Sequence, residues 1–303
     1  MTGHVISLAI ERIKRHDHIV RGTAANGMVR AFAITARQTV QTAHENHSTS
    51  PLVSAALGRL MMGGLMMGAM SKTDDELITL TVCGDGPIGG LTVTANNRGQ
   101  VKGFANNPNV WLPLRDDNHL NVGAGIGAGE LSVVFDQPGI APYSSQVELT
   151  SGEIGEDLAY YFAVSDQVPT SVGVGVLVGT DTSILQAGGF IIQLMPGHQE
   201  WIVDELEKSL SRVTSVTDLL QQGLTPTSML EYLLGDLGYE ELEAIPAEFY
   251  CGCDEARAGR AVAALGRETL LDMIEKNETA EVICHFCGKR HYLGTGELQQ
   301  LLG

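Results

Sequence analysis

The sequence predicts an α+β fold with an N-terminal mixed α/β core domain of largely antiparallel sheets over residues 1–195. A helical linker follows over 196–245, and a small C-terminal domain over 246–303. Three observations predict this. Apolar, β-branched runs broken by tight-turn dipeptides recur through the first 195 residues, which is how antiparallel strands read. Between Glu200 and Ile245, short helical periods carry ten acidic residues against two basic ones. Four of the five cysteines then fall late in the chain, as Cys251-Gly-Cys253 and Cys284-His-Phe-Cys287.

A chain of 303 residues suggests about two domains, with length to spare for a sizeable core. Hydrophobic content of 44 % and a mean hydropathy of +0.06 describe a folded, soluble protein. Thirty-six acidic against nineteen basic residues leave a formal charge of −17, so the surface should repel nucleic-acid backbones and anionic membranes. The opening MTGHVISLAIERIKR places its basic residues after a short apolar run rather than before it, which is not the layout of a signal peptide. A cytoplasmic location is expected, where thiols stay free or bind metal. The apolar stretch Leu60–Met70 is too short to cross a membrane and follows Arg59.

Along the chain, His18–Ala25 and Met28–Thr35 flank Asn26-Gly27, the dipeptide of a two-residue type I′ hairpin turn. Gln38–His47 reads as a polar helix. Its His44 and His47 have no third ligand nearby, so a solvated face is expected. Pro51 opens a long helix, PLVSAALGRLMMGGLMMGAMSK, whose five methionines and four glycines make a soft, adaptable surface suited to core packing. Strands ELITLTV, IGGLTVTA and GQVKGFA follow, punctuated by GDGP and NNRG. Gly84-Asp-Gly86-Pro-Ile-Gly89 matches GxGxxG formally, but Pro87 and another strand stand where the phosphate-binding helix should begin. Gly123-Ala-Gly125-Ile-Gly127-Ala128 fails likewise by leading into the strand LSVVFD, so no nucleotide is expected. Cys83, at a strand end, reads as a small buried hydrophobe.

Ile154, Leu158, Tyr161 and Phe162 fall at helical spacing, and Pro169 follows. The runs SVGVGVLVG and SILQAGGFIIQLM read as buried central strands closing the first domain near Met195. Beyond it, Ile202, Leu206 and Leu210 mark an amphipathic helix. Thr225 and Pro226 supply the cap and first turn of another, bearing Leu230, Leu233 and Leu234. Short helices of net charge −8 repel themselves and are marginal alone, so this linker should be able to melt.

The final segment from Phe249 reads as a CxC, helical text over Asp254–Lys276, and a hairpin VICHFCGKRHYL. Two close cysteine pairs 30 residues apart can bring four sulfurs to one tetrahedral ion, with zinc–sulfur distances near ~2.3 Å. Two structural disulfides and four unrelated thiols are the alternatives, and the first needs an oxidising compartment. Gly252 and Gly288 supply the turns. His285 and His291 are possible substitute ligands, though His285 lies between two cysteines and reads better as a solvated loop residue. So small a domain needs a staple, and the expected staple is zinc held by Cys251, Cys253, Cys284 and Cys287.

With these cysteines, GDGPIGG, QVPTSVGVGVLV and AGGFIIQLMPG in view, the chain closely resembles the bacterial redox-regulated 33-kilodalton heat-shock chaperone family (HslO type) from about His16 onward. The resemblance says nothing of residues 1–15. It implies an ATP-independent holdase for unfolded clients that is not an enzyme: zinc-bound and inactive when reduced, active and homodimeric when oxidised. It also implies that the four cysteines are ligands in the first state and disulfide partners in the second. Four cysteines allow three connectivities. Loop-closure entropy favours nearest neighbours once the domain melts, and the resemblance implies the same pairs, Cys251–Cys253 and Cys284–Cys287. A CxC ring is tight, so the Cys284–Cys287 bond is expected first.

Two other functions compete. A CxxC thiol-disulfide oxidoreductase would need a thioredoxin-like βαβ context, which the hairpin here lacks. A zinc-ribbon nucleic-acid module is disfavoured by the charge. No convincing catalytic triad or carboxylate pair is present.

Overall fold

The computed structural model describes residues 13–71, 73 and 75–302. The apolar run VISLAI lies outside the described residues. The chain divides into two compact units, one ending at Phe249 and one beginning at Tyr250.

The first unit opens with β1 (His18–Ala24) and β2 (Val29–Thr35), paired in register from His18 with Thr35 to Ala24 with Val29. Their connection is not the two-residue turn that Asn26-Gly27 suggests. Ala25, Asn26 and Gly27 all have positive φ, and Met28 N–H closes the loop on Ala25 O at 3.1 Å. Helix α1 (Arg37–His47) follows. His44 is not on a solvated face: its Nδ1 lies 3.1 Å from Ser54 Oγ and 3.3 Å from Thr49 Oγ1, joining α1 to the next helix. That helix, α2 (Pro51–Gly68), starts on a Ser50 cap with proline in the first turn. Every residue in it is buried except Pro51 and Arg59. It is the one described helix long and apolar enough to span a membrane, and its apolar window is 89 % buried.

Strands β3 (Leu77–Gly84), β4 (Leu91–Asn96) and β5 (Gln100–Ala105) form the expected meander. After the short α3 (Val122–Ile126) come β6 (Gly129–Asp136) and β7 (Tyr143–Glu148). Helix α4 (Gly155–Tyr161) runs into a π-turn over Phe162–Asp166 and leads to β8 (Thr170–Val178) and β9 (Ile184–Leu194). Three helices then appear where the linker was expected: α5 (Glu200–Leu210), α6 (Val216–Gln221) and α7 (Pro226–Leu234). The last of these has the expected Thr225 cap. Residues 240–249 are not helical. They form β10 (Glu240–Pro246) and the two-residue β11 (Glu248–Phe249).

The strands make two sheets, in the orders β10-β1-β2-β9-β8 and β11-β5-β4-β3-β6-β7. All pairings are antiparallel except β11 with β5. Thus β9 is interior, as its apolar text predicts, but β8 is an edge strand. Helix α2 fills the core that both sheets share, packing its leucines and methionines with Phe32, Ile34 and Ile191 from one and Leu80, Val93 and Val133 from the other. The opposite face of the five-stranded sheet, through Val20, Ala31, Ala33 and Ile192, is covered by Ile202, Leu206, Leu219, Leu230, Leu233 and Leu234 of α5, α6 and α7.

The second unit contains α8 (Glu255–Ala263) and α9 (Arg267–Glu275), split at Gly266 with φ +92°. The hairpin β12 (Ala280–Ile283) and β13 (Arg290–Leu293) and helix α10 (Thr295–Leu301) complete it. Its core is small: Ala258, Val262, Leu270, Ala280, Leu293 and Leu298.

Candidate metal centre

Cys251 and Cys253 lie in irregular chain just before α8, and Cys284 and Cys287 at the turn of the β12–β13 hairpin. That turn is built by backbone hydrogen bonds. Cys284 N–H donates to Lys289 O at 2.9 Å, while the N–H groups of Cys287 and Gly288 return to Cys284 O at 3.4 and 2.8 Å. Gly288 has φ +69°, a conformation glycine adopts without steric cost. The turn aims both sulfurs of the second pair to one side.

The first pair meets them there. Cys251 Sγ lies 3.7 Å from Cys284 Sγ, and Cys253 Sγ 3.4 Å from Cys287 Sγ. All four Sγ atoms fall within 4.8 Å of one another, so together they could hold one metal ion. Each cysteine is half-buried and none is in a disulfide. Burial raises the thiol pKa of Cys251, Cys253 and Cys287 above its ordinary value. Burial also pushes Cys284 up, but the N–H of Phe286, hydrogen bonds from Cys287 and Cys251, and the N–H of Cys287 outweigh it and hold Cys284 below the ordinary value.

The histidines weighed as substitutes do not join the cluster. His291 is buried in β13, where its Nε2 has no hydrogen-bond partner. Cys83 also stands apart, and the expectation that it is buried fails: it is exposed. Ile78, Leu80 and Val82 take the core face of β3, so alternation turns Cys83 outward. Among the formal glycine motifs, Gly84 ends β3 and Gly123–Ile126 lies in the five-residue α3, too short to present a phosphate-binding helix.

A family profile described as Hsp33 protein matches residues 17–293. The chain belongs to the Hsp33 family. Members similar to it include the 33 kDa chaperonin of Agathobacter rectalis, 48 % identical over 285 residues, spanning 94 % of this chain and 99 % of that one. The 33 kDa chaperonin of Lachnoclostridium phytofermentans is 46 % identical, spanning 95 % and 98 %. Among solved structures, the Hsp33 homolog of Thermotoga maritima superposes with a TM-score of 0.87 at 34 % identity, covering 95 % of this chain and 98 % of that one. Hsp33 membership supports a chaperone role.

Proposed function

We propose that this chain is a redox-regulated, ATP-independent holdase that binds unfolded or partly unfolded proteins. Reduced, it holds zinc and is inactive; oxidised, it releases zinc, carries two disulfides and is active. The observation that carries this reading is the convergence of four thiols from two ends of a small, poorly cored unit. A tetrahedron of sulfurs at ~2.3 Å from zinc has edges of about 3.8 Å, close to the 3.4 and 3.7 Å separations seen. Cys251, Cys253, Cys284 and Cys287 would be the ligands, and bound zinc would supply a cross-link worth roughly 10–16 kcal/mol to a small domain.

Reduced thiols require a reducing compartment, so the cytoplasm is the proposed location. Oxidation by peroxide forms one S–S bond from two thiols and reduces one peroxide to two waters. Two such steps would give Cys251–Cys253 and Cys284–Cys287 and leave no thiolate to ligate. The resemblance supports a homodimer in the oxidised state, and the acidic surface argues against nucleic acid and anionic membranes as partners.

The test measures zinc and suppression of client aggregation on reduced and peroxide-treated protein. About one zinc per chain with no suppression is expected when reduced, and zinc loss with suppression when oxidised. Equal activity in both states, or full zinc retention when all four cysteines are serine, would sink the reading.

A further inference from the structure

Residues 240–249 form an edge strand of both sheets. β10 lies antiparallel on the outer edge of β1, from His18 opposite Pro246 to Thr23 opposite Glu240. One residue later, β11 lies parallel on β5, with Glu248 opposite Gln100 and Phe249 opposite Val101. Between them, Ala247 N–H donates to Asp17 O and Glu248 N–H to Gly99 O, each at 2.9 Å. The backbones are so close at the crossing that a Cβ on Gly99 would stand 1.7 Å from Pro246 O.

Apart from Ile245 and Ala247, which join the core, and Ala244 and Phe249, which pack against apolar clusters, this segment is held by its backbone. Ile245 is the only buried residue of β10, while Glu240, Leu242, Glu243 and Pro246 are exposed. Its ion pairs, Arg21–Glu243 at 3.1 Å and Lys14–Glu241 at 2.5 Å, are partly solvated and contribute little. The strands beneath are anchored independently. β1 buries five of its seven residues and pairs with β2 along its whole length, and β5 pairs with β4. Departure of Glu240–Phe249 would therefore leave two intact strands with their outer N–H and C=O groups unpaired, an edge that templates another strand.

We propose that β10 and β11 are an internal stand-in for a client. When they leave, the edges of β1 and β5 take an extended segment of an unfolded polypeptide by strand addition. This rests on the holdase reading and names its client surface. The occupant already seated, EELEAIPAEF, carries four glutamates, no basic residue and side chains of varied size, and main-chain hydrogen bonds to β1 and β5 run along it. A site that reads backbone suits clients with nothing in common but being unfolded. The control is covalent, since Cys251 follows Phe249 by two residues, and freeing that cysteine from the cluster frees the end of the segment.

Hydrogen exchange on the full-length oxidised protein tests this, with reduced, carboxymethylated α-lactalbumin as the client. Those amides of residues 18–23 and 101 that face β10 and β11, rather than β2 and β4, should lose protection on oxidation and regain it when client is added. A synthetic EELEAIPAEF peptide should bind the oxidised protein, not the reduced one, and displace the client. N-methylation at both positions matching Leu242 and Glu243, one of which must face β1, should weaken the peptide by about tenfold. Suppressed aggregation with no client protection at β1 and β5, or no competition by the peptide, overturns strand addition and leaves the holdase reading standing. Failure of the oxidised protein to suppress aggregation overturns both.

Discussion

Cys83 sits in mid-sheet, opposite Glu130 of β6, and outside the four-thiol cluster. Cys83→Ser should therefore keep zinc content and oxidative activation unchanged, with melting within a few degrees of the parent. Loss of activation in that variant would place the fifth thiol in the switch. Within the cluster, the closest approaches are between pairs, Cys251 to Cys284 and Cys253 to Cys287, whereas the expected disulfides are within pairs. All six Sγ separations are within 4.8 Å, so proximity in the folded state does not choose. Pairing is then decided after the unit loosens, when short loops close at least cost. Peptide mapping during mild oxidation should find Cys284–Cys287 first. His18 gives a second residue-scale expectation. It is buried at the start of β1 with Nδ1 2.7 Å from His16 O, and with Lys14, Asp17 and Glu241 around it. Burial lowers its pKa below the usual 6.5, against the raising effect of His16 O. The unfolded chain thus binds the proton more readily, and stability should fall as pH drops below about 6.5. His18→Asn should show a smaller loss of melting temperature between pH 7 and 5.5 than the parent, and an equal loss would remove His18 as the cause.

At the scale of elements, the linker helices show what sequence could and could not supply. Periodicity and caps placed α5 and α7 correctly, because Ile202, Leu206, Leu230, Leu233 and Leu234 all face one apolar surface. The strand at 240–246 was not legible, since its partner β1 lies over two hundred residues earlier and an edge strand has little side-chain pattern of its own. The edge position of β8 was hidden for the same reason: strand order is a tertiary fact. The convergence of the four cysteines was legible, because two close pairs carry their spacing in the local chain. The exposure of Cys83 could have been read from the alternation of Ile78, Leu80 and Val82. From the packing of α7, Leu230→Ala should destabilise its docking by about 2–5 kcal/mol, because Leu230 is fully buried against the sheet. The expected result is earlier proteolytic cleavage between residues 196 and 249 and some client binding by reduced protein with zinc still bound. Unchanged cleavage kinetics would show that α7 is not what keeps the sheet face covered.

The two units differ most in how they are stabilised. The first has two apolar clusters, one around α2 between the sheets and one beneath α5 to α7. From Tyr250 onward the apolar core has only six buried residues, and a unit of that size is marginal without a staple. On the proposed zinc site, removing the metal should therefore act unevenly along the chain. Under reductant, chelation should abolish amide protection across 240–302, while β2 to β4, β6 to β9 and α2 stay protected. The linker helices should respond later. Their leucines are well buried, but the helices are short and carry a net charge of −8 between residues 200 and 245, so heat is expected to release them before the sheets. Hydrogen exchange at rising temperature on chelated protein separates these steps: first 240–302, then 200–239, and last the sheets. Simultaneous loss of protection throughout would mean the molecule melts as one cooperative unit, and a switch confined to its last third could not operate.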